Sequence, residues 1–526
     1  FVEKSACTKS QGRAPPKTIF STKDGLALRS IDKNKKPIYL NKNGQSSKDE
    51  KSLVNSKENN SKIFSLLETS TLLRDPATCR TNQNNVDLKS NLEEGVCRSP
   101  NYFNIMASTK SNTDEIFDYD KYQEDCLAES KRLKGFRKWS TKYLGQNVNL
   151  KRDNSSMFTL LSFNILAQNL LDTHRYLYKK NDPRALVWSH RINKILEEII
   201  SYNAEIICLQ EVQEEHISYL KNALSPLNYK YVHKRRTKNH KDGSAIFYKS
   251  NVFTMLDYKL VEYFRPNVDI LNKDNVGIVI KLKLNEGHGP NSLMPPESDI
   301  VIATTHLLYN PKRSDIRLAQ AQVMMAELDK MAYVGKDNNG IPQYLPIILT
   351  GDFNLQPHTA VYTFLTRGIL QYTNLTFKQL EPVKHREPRQ CSLLPPHVGI
   401  NDNCQYIDVI KKRLNTDPMT PVDARDMSSN SGLLIHNLNL TSSYYHMVGK
   451  NQSAASTYQD EWITVDYIFY SRGANESSGG KKVGHLELLS RLELPTIPEC
   501  NFMGPIPNLV FGSDHLLLGA KFIFNR

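Results

Sequence analysis

From Met157 onward the chain repeats one pattern: a short run of β-branched and large apolar residues, bounded by Asn, Asp, Glu, His, Gly or Pro. The runs are MFTLLSFNIL, AEIICLQEV, SAIFYK, VGIVIKLKL, DIVIATTHLL, PIILTGDF, TVDYIFYS and LLLGAKFIF. Near-continuous apolar runs of this length suit strands buried on both faces, because a strand wetted on one side alternates instead. Between them, helical spacing puts Ile192, Ile195, Leu196 and Ile199 on one face of 188–200. It does the same with Leu318, Ala321, Met325 and Leu328 in 315–330, where Ser314 is placed to cap the helix. Strands alternating with helices predict an α/β layered domain. It would occupy 157–526, with the polar, Pro-containing stretch 381–430 as a loop insertion.

Residues 1–130 read differently. They are rich in Ser, Asn and Lys, with only short apolar clusters such as IFSLLE (63–68). So little apolar surface does not offset the entropy of ordering, so this region reads as a largely disordered basic tail. Residues 131–156 form a basic lead-in: KRLKGFRKWSTK (131–142) holds six cations and no acid, in a chain of net charge +13. Such a surplus suits a polyanion such as RNA, and a solvated segment is the other reading. Translation or RNA-processing factors are the partners to expect for the tail. Tyr122 to Leu127 loosely resembles the tyrosine-leucine motif gripped by the cap-binding translation initiation factor, although Ala128 stands where a bulkier residue is wanted.

The eight cysteines are scattered, with no CxxC pair, which argues against a zinc ribbon or a disulfide scaffold. An intracellular, reducing setting in cytoplasm or nucleus fits best, with a mitochondrial presequence in the basic opening 1–23 as the alternative. No run approaches the ~18 apolar residues of a membrane-spanning helix, so no membrane partner is expected.

Polar residues close these strands in a consistent way. Asn164 follows TLLSF, Glu211 ends AEIICLQE, and His306 ends DIVIATTH. Asp352 and Asn354 follow PIILTG, Asp466 opens DYIFY, and Asp514 with His515 opens the last strand. Each alone has a structural explanation: a strand end, an ion pair with a lysine, a cap on a turn. As a set they are a candidate site, because strand ends on one edge of a layered fold hold loops on a rigid frame, and carboxylates buried there need partners or a metal.

The blocks SFN (162–164), LQE (209–211), TTH (304–306), GDFN (351–354), VDYIF (465–469) and SDH (513–515) occur in the order seen in the endonuclease/exonuclease/phosphatase superfamily. LSFNILAQNLL, CLQEVQ, DGSAIFYK, THLLYNPKRSDIRLAQ and ITVDYIFYS resemble its deadenylase-related branch, and the Angel proteins above all. The resemblance covers about residues 135–526 and implies a two-layered β-sandwich flanked by helices. It implies a Mg²⁺ site, with Mn²⁺ as the alternative, in which Glu211 is the ligand and Asn164 orients the metal shell or the phosphate. Asp352 would position or activate the attacking water, and Asn354 would hold the phosphate as a neutral ligand. His515, held by Asp466, would contact the phosphate, as would His306. Asp514 would hold a second metal or its water. Asn310 and Arg313, in the segment after His306, would hold substrate phosphates or belong to a solvated loop. Tyr309 is a further candidate for the pocket wall. Two departures stand out: Leu166 occupies a position where several DNA-acting relatives carry an aspartate, and the leucine-rich repeats of some deadenylases are absent.

The expected function is a metal-dependent phosphoesterase of RNA 3′ ends, opening 2′,3′-cyclic phosphates or removing nucleotides exonucleolytically. The alternatives are a lipid or small-molecule phosphodiesterase, and an inactive scaffold gripping messenger RNA. Competent side chains at every catalytic position weigh against the scaffold.

Overall fold

In the computed structural model, the residues described are 117–140, 155–285, 299–373 (apart from 339 and 358), 375, 393–416, 432–448, 452–472 and 484–525. Along the chain they form α1 (Tyr119–Arg132), β1 (Ser155–Asn164), α2 (Gln168–Thr173), α3 (Trp188–Ser201), β2 (Ile206–Gln213), α4 (Ile217–Leu224), β3 (Tyr229–Arg235) and β4 (Asp242–Lys249). There follow β5 (Phe253–Glu262), β6 (Val276–Leu284), β7 (Asp299–His306), α5 (Ser314–Ala332), β8 (Ile347–Asp352) and α6 (Ala360–Arg367), with the short two-stranded pieces, the 3-10 turns and the helix Ile407–Thr416 left unnumbered. The second half closes with β9 (Leu440–Ser442), β10 (Asp466–Ser471), β11 (His485–Arg491), α7 (Ile497–Met503) and β12 (Leu518–Asn525). All eight apolar runs are strands.

Two six-stranded sheets result, in the orders β11-β12-β1-β2-β4-β3 and β9-β10-β8-β7-β6-β5. Both faces of the central strands are buried, which is why their sequences do not alternate. In β7, Ile300 and Ile302 join Leu160, Ile206, Ile246, Ile280, Ile348 and Phe522 in one core cluster, to which both sheets contribute. Val301 and Ala303 point the other way and pack with Leu318, Met325 and Leu328 of α5. This is the expected two-layered sandwich with helices outside.

Each sheet has one parallel pair at its centre, β1 with β2 and β8 with β7. β12 and β10 run antiparallel beside them. The C-terminal ends of four strands and the starts of two others therefore meet at the same end of the sandwich. Those are the strand ends that carry the polar residues singled out above.

Helix α5 departs from the sequence reading. Residues Asp315 through Asp329 are all buried, not only the face of Leu318, Ala321, Met325 and Leu328. Its outer side is covered by residues 401–406: Gln322 donates to the Asn401 carbonyl (3.0 Å), Glu327 accepts from Tyr406 (2.7 Å) and Asp329 accepts from Gln405 (2.9 Å). So part of the stretch read as a loop insertion, 393–416, is packed into the domain, with Leu393, Leu394, Ile400 and Cys404 in the core. The rest of 381–430 lies outside the described residues. Ser314 is not the cap either: it is the first helical residue, and Arg313 precedes it without a side-chain capping bond.

The N-terminal boundary also moves. Helix α1 straddles the line drawn at residue 130, and the basic run after it is fastened to the domain. Arg137 donates to the carbonyls of Glu493 (3.1 Å) and Leu517 (2.7 Å), Ser140 N to that of Arg491 (2.8 Å), and Arg132 to that of Met503 (3.0 Å). Leu133 is buried, and the Trp139 ring lies under the Lys521 ammonium at 4.5 Å. Tyr122 of the tyrosine-leucine motif is likewise engaged, its hydroxyl 2.5 Å from His190 Nδ1, while Leu127 is exposed. Residues 1–116 lie outside the described residues.

This arrangement makes 131–140 a structural strap. Arg137→Ala should lower unfolding stability by about 1–3 kcal/mol, the usual cost of leaving buried carbonyls without donors. Urea unfolding measures this, and an unchanged midpoint with a weaker salt dependence of RNA binding would restore the RNA-contact reading of this segment.

Candidate active site

The polar end of the sandwich is built by local backbone devices. On β2 a bulge between Gln210 and Val212 leaves Glu211 outside the ladder with β4, at φ 57°. Gln210 therefore turns inward to Thr304 Oγ1 (2.8 Å) while the next residue, Glu211, also turns to the site. A bulge re-aims a side chain in this way, and a non-glycine residue in the left-handed region marks a place where the surroundings overrule local preference. On β8, Gly351 (φ 141°) lies so close to β7 that a Cβ would sit 1.9 Å from the Thr305 carbonyl oxygen. Only glycine lets the strands approach there, and the next residue is Asp352.

Asn164, fully buried, ties the two sheets together. Its amide donates to Glu211 Oε1 and to Asp352 Oδ2, both at 3.1 Å, and its Oδ1 accepts from Leu166 N (3.1 Å). Both amide hydrogens are thereby used, so the approach to His515 Nε2 at 3.4 Å leaves that imidazole nitrogen free to carry its own proton. His515 Nδ1 lies 2.9 Å from Asp466 Oδ2, which also accepts from Ser456 Oγ at 2.6 Å. His306 Nε2 lies 3.5 Å from Asp352 Oδ2, and Asp352 Oδ1 accepts from Asn354 N (2.9 Å). Tyr178 donates to Asp514 Oδ2 at 2.7 Å.

Charge is finely distributed here. Burial pushes the Glu211 carboxyl up to about 7, with Asp514 and Asp242 adding to the rise. Burial likewise lifts Asp352 to about 6, against the pull of His306 and His515. Burial lowers His306. For His515 burial acts in the same direction, but Asp466, Asp514 and Asp352 together outweigh it and hold the imidazole well above its ordinary value. The site thus contains a standing imidazolium among carboxylates.

Asp352, Asp466 and His515 lie close enough to form a group that could hold a metal ion. Their hydrogen bonds argue for another division of labour. Asp466 Oδ2 is already shared by His515 and Ser456, and a cation would have to displace the proton that three carboxylates keep on His515. The better candidates are elsewhere: Asp514 Oδ1 is buried and accepts no hydrogen bond, its one cationic neighbour being His515 Nε2 at 3.9 Å, and Glu211 accepts only from the neutral donors Asn164 and Ala167 N. Hard, partly unsatisfied oxygens fit a hard divalent cation.

Of the residues singled out from the sequence for catalysis, metal or phosphate binding, eight of ten lie at this end of the sandwich: Asn164, Glu211, His306, Asp352, Asn354, Asp466, Asp514 and His515. Asn354 (φ 51°) turns its amide to the Leu307 carbonyl at 3.0 Å. The other two are engaged elsewhere. Arg313 forms a two-pronged bond to Asp315 (2.9 and 2.8 Å), and Asn310, exposed, accepts from Lys312 N through its side chain.

Several functional residues gave no sequence signal of their own. Tyr178 holds Asp514 from a distant part of the chain, and Ser456 holds Asp466 from ten residues upstream. Arg191, buried on α3, donates to the carbonyls of Ile165, Leu166 and Gly512 and so fixes the loops after β1 and before β12. Arg236 pairs with buried Asp242 at 2.5 Å beside Glu211 and His306. The Asp-Gly dipeptide at 242–243 was the available clue: a Cβ on Gly243 would lie 2.1 Å from the Lys234 carbonyl oxygen.

A held imidazolium facing an ionisable carboxyl, with unsatisfied oxygens alongside, is equipment for hydrolysing phosphate esters. Residues 161–515 match the Endonuclease/Exonuclease/phosphatase family, and the chain belongs to that family. Within it the chain is similar to protein angel homolog 2 of Homo sapiens, 36% identical over 412 residues and 73% of either chain. It is also similar to protein angel of Drosophila melanogaster, 31% identical over 370 residues, 70% of this chain and 81% of that one. Among solved structures it resembles ANGEL2, a 2′,3′-cyclic phosphatase, in complex with adenosine-2′,3′-vanadate (34% identity, TM-score 0.59, 74% of this chain and 98% of that one). Among the described residues no helix is long and apolar enough to cross a membrane.

Proposed function

We propose that this chain is a divalent-metal-dependent phosphoesterase of RNA 3′ ends whose main reaction opens a 2′,3′-cyclic phosphate. The observation that carries this reading is its 34% identity, over 74% of its length, with a solved 2′,3′-cyclic phosphatase. The geometry supports the same chemistry. Asp352, with a carboxyl near 6, is ionised at neutral pH and accepts the proton of a water placed against phosphorus. The His515 imidazolium, fixed through Nδ1 by Asp466, offers its Nε2 proton to the phosphoryl oxygens as charge builds on them. Asn164 keeps Glu211 and Asp352 in register, so that water and phosphate meet in one orientation. As the new oxygen–phosphorus bond forms, one ribose oxygen leaves and takes up a proton, giving a monoester beside a free hydroxyl. Glu211 and Asp514 would hold Mg²⁺ or Mn²⁺, which supplies charge neutralisation at the phosphate and the leaving oxygen.

Exonucleolytic release of nucleotides is the second reading, because it too begins with water attacking a phosphodiester. A single-turnover comparison on one RNA body separates them, with a 2′,3′-cyclic phosphate on one sample and an oligoadenylate tail on the other. The cyclic end should be consumed with Mg²⁺ and persist with a chelator. A tail shortened stepwise beside an untouched cyclic end would replace this proposal with the exonuclease.

A further inference from the structure

The two carboxylates assigned above to a divalent cation both hang on Asn164. Ser513 Oγ donates to the Asn164 carbonyl at 2.6 Å and so seats Asp514, while the Asn164 amide donates to Glu211 Oε1 at 3.1 Å. Their oxygens are not equally free. Both Glu211 oxygens accept a hydrogen bond, one from Asn164 and one from Ala167 N. Asp514, 2% exposed, has Oδ2 taken by the Tyr178 hydroxyl at 2.7 Å. Its Oδ1 accepts no hydrogen bond and has the His515 Nε2 at 3.9 Å as its cationic neighbour. Burial, with the charge of Asp514, raises the Tyr178 hydroxyl far above its ordinary range, so it keeps its proton and stays the donor.

The phenol itself is held in place. Its ring packs with Leu166, Leu171 and Leu186. Asn181, three residues on, donates to the Pro507 carbonyl at 2.9 Å, which ties the turn Arg175–Tyr178 to the loop that leads into Asp514. Arg184 then donates to Asp182 and to Asp125 of α1, both at 2.7 Å. Asp514 therefore cannot swing its second oxygen inward without breaking a charge-assisted hydrogen bond to a fixed donor. A carboxylate engaged in this way presents one oxygen to a cation. That suits Mg²⁺, which demands a near-octahedral shell, keeps several waters and takes only one or two carboxylates. Ca²⁺ gathers roughly six to eight oxygens in a looser shell and readily takes both oxygens of one carboxylate.

We propose that Tyr178 is a positioning residue that holds Asp514 to single-oxygen ligation and thereby makes the site prefer Mg²⁺ to Ca²⁺. This rests on the metal-dependent reading and adds the residue that selects among cations. Calorimetric titration of the full chain with Mg²⁺ and with Ca²⁺ tests it, on wild type and on Tyr178→Phe, which keeps the ring and removes the hydroxyl. Wild type should bind Mg²⁺ the more tightly. In Tyr178→Phe the Mg²⁺ affinity should fall about tenfold or more, the scale of a lost partner behind a ligating carboxylate. The Ca²⁺ affinity should hold or rise, because Asp514 Oδ2 is released, so the preference for Mg²⁺ shrinks by at least that factor. A hydroxyl with a merely structural role would weaken both ions together. An unchanged ratio of the two dissociation constants, whether both hold or both fall alike, overturns the proposal. So does a wild type that binds Ca²⁺ more tightly than Mg²⁺, a result that needs no variant. A wild type that binds neither ion removes the metal-dependent reading itself, and the role of Tyr178 with it.

Discussion

Glu211→Ala should retain about a hundredth to a thousandth of wild-type turnover, the usual cost of removing a group that stabilises charge at the reacting centre. The folded state should survive the change. Glu211 carries a carboxyl that burial has already pushed up to about 7, so its replacement removes a charge the interior holds unwillingly. What is lost is a hard oxygen pair, accepting from Asn164 and from Ala167 N, beside the unsatisfied Asp514 Oδ1. Calorimetric titration with Mg²⁺ should show binding by the wild type and none by the variant, and urea unfolding should give similar midpoints for both. A variant keeping more than about a tenth of the rate would show that Glu211 is not the main ligand. Glu211→Gln sharpens the test. It preserves size and one acceptor oxygen but not the anion, so it should resemble the alanine variant in turnover if charge is what matters.

Much of this fold was legible because burial on both faces leaves a mark no other strand environment leaves. VGIVIKLKL and DIVIATTHLL are strands by composition and length before any pairing is known. The polar residues that close such runs were legible for the same reason: Asn164, Glu211, His306 and Asp352 interrupt apolar sequence where the chain leaves the core. Two gaps in that reading have physical causes. The helix α5 was read as having one wet face because its Arg317, Gln320, Gln322 and Glu327 are polar. Their partners lie in loops, and the segment 401–406 that covers the outer side has no periodicity to announce it. The charge of 131–142 suggested a polyanion contact or a solvated segment and did not show how the run is fastened to the domain. A guanidinium such as that of Arg137 serves equally well as a fork of donors to buried carbonyls, and sequence does not distinguish the two uses. Tyr178 was invisible because a hydroxyl that positions a carboxylate 336 residues away leaves no local pattern, and Ser456, ten residues before Asp466, sits in no recognisable motif.

Asp466→Asn should lower kcat about a hundredfold at neutral pH, the scale of a positioned acid–base group, and change the shape of the pH–rate profile. The argument begins with burial, which alone would make His515 a poor proton holder. Three carboxylates reverse that, and Asp466 has the closest hold, at 2.9 Å from Nδ1. In the wild type the imidazole consequently stays protonated through neutral pH and well beyond. Asparagine keeps the size of the side chain and leaves Ser456 a partner, but it removes the charge. Burial then weighs more heavily, the His515 value moves down, and Nε2 surrenders its proton at a lower pH. The alkaline limb of the profile should therefore shift toward neutrality. The acid limb, set in this scheme by the Asp352 carboxyl near 6, should move little, or slightly downward, because Asp466 is one of the charges that raises it. Ser456→Ala offers a graded control: it removes one donor to Asp466 and should lower kcat by less, with its alkaline limb moved in the opposite direction, since Asp466 is left freer to bind the imidazolium. Profiles of wild type and Asp466→Asn that superimpose after scaling would show that the Asp466–His515 contact positions the ring without setting its proton.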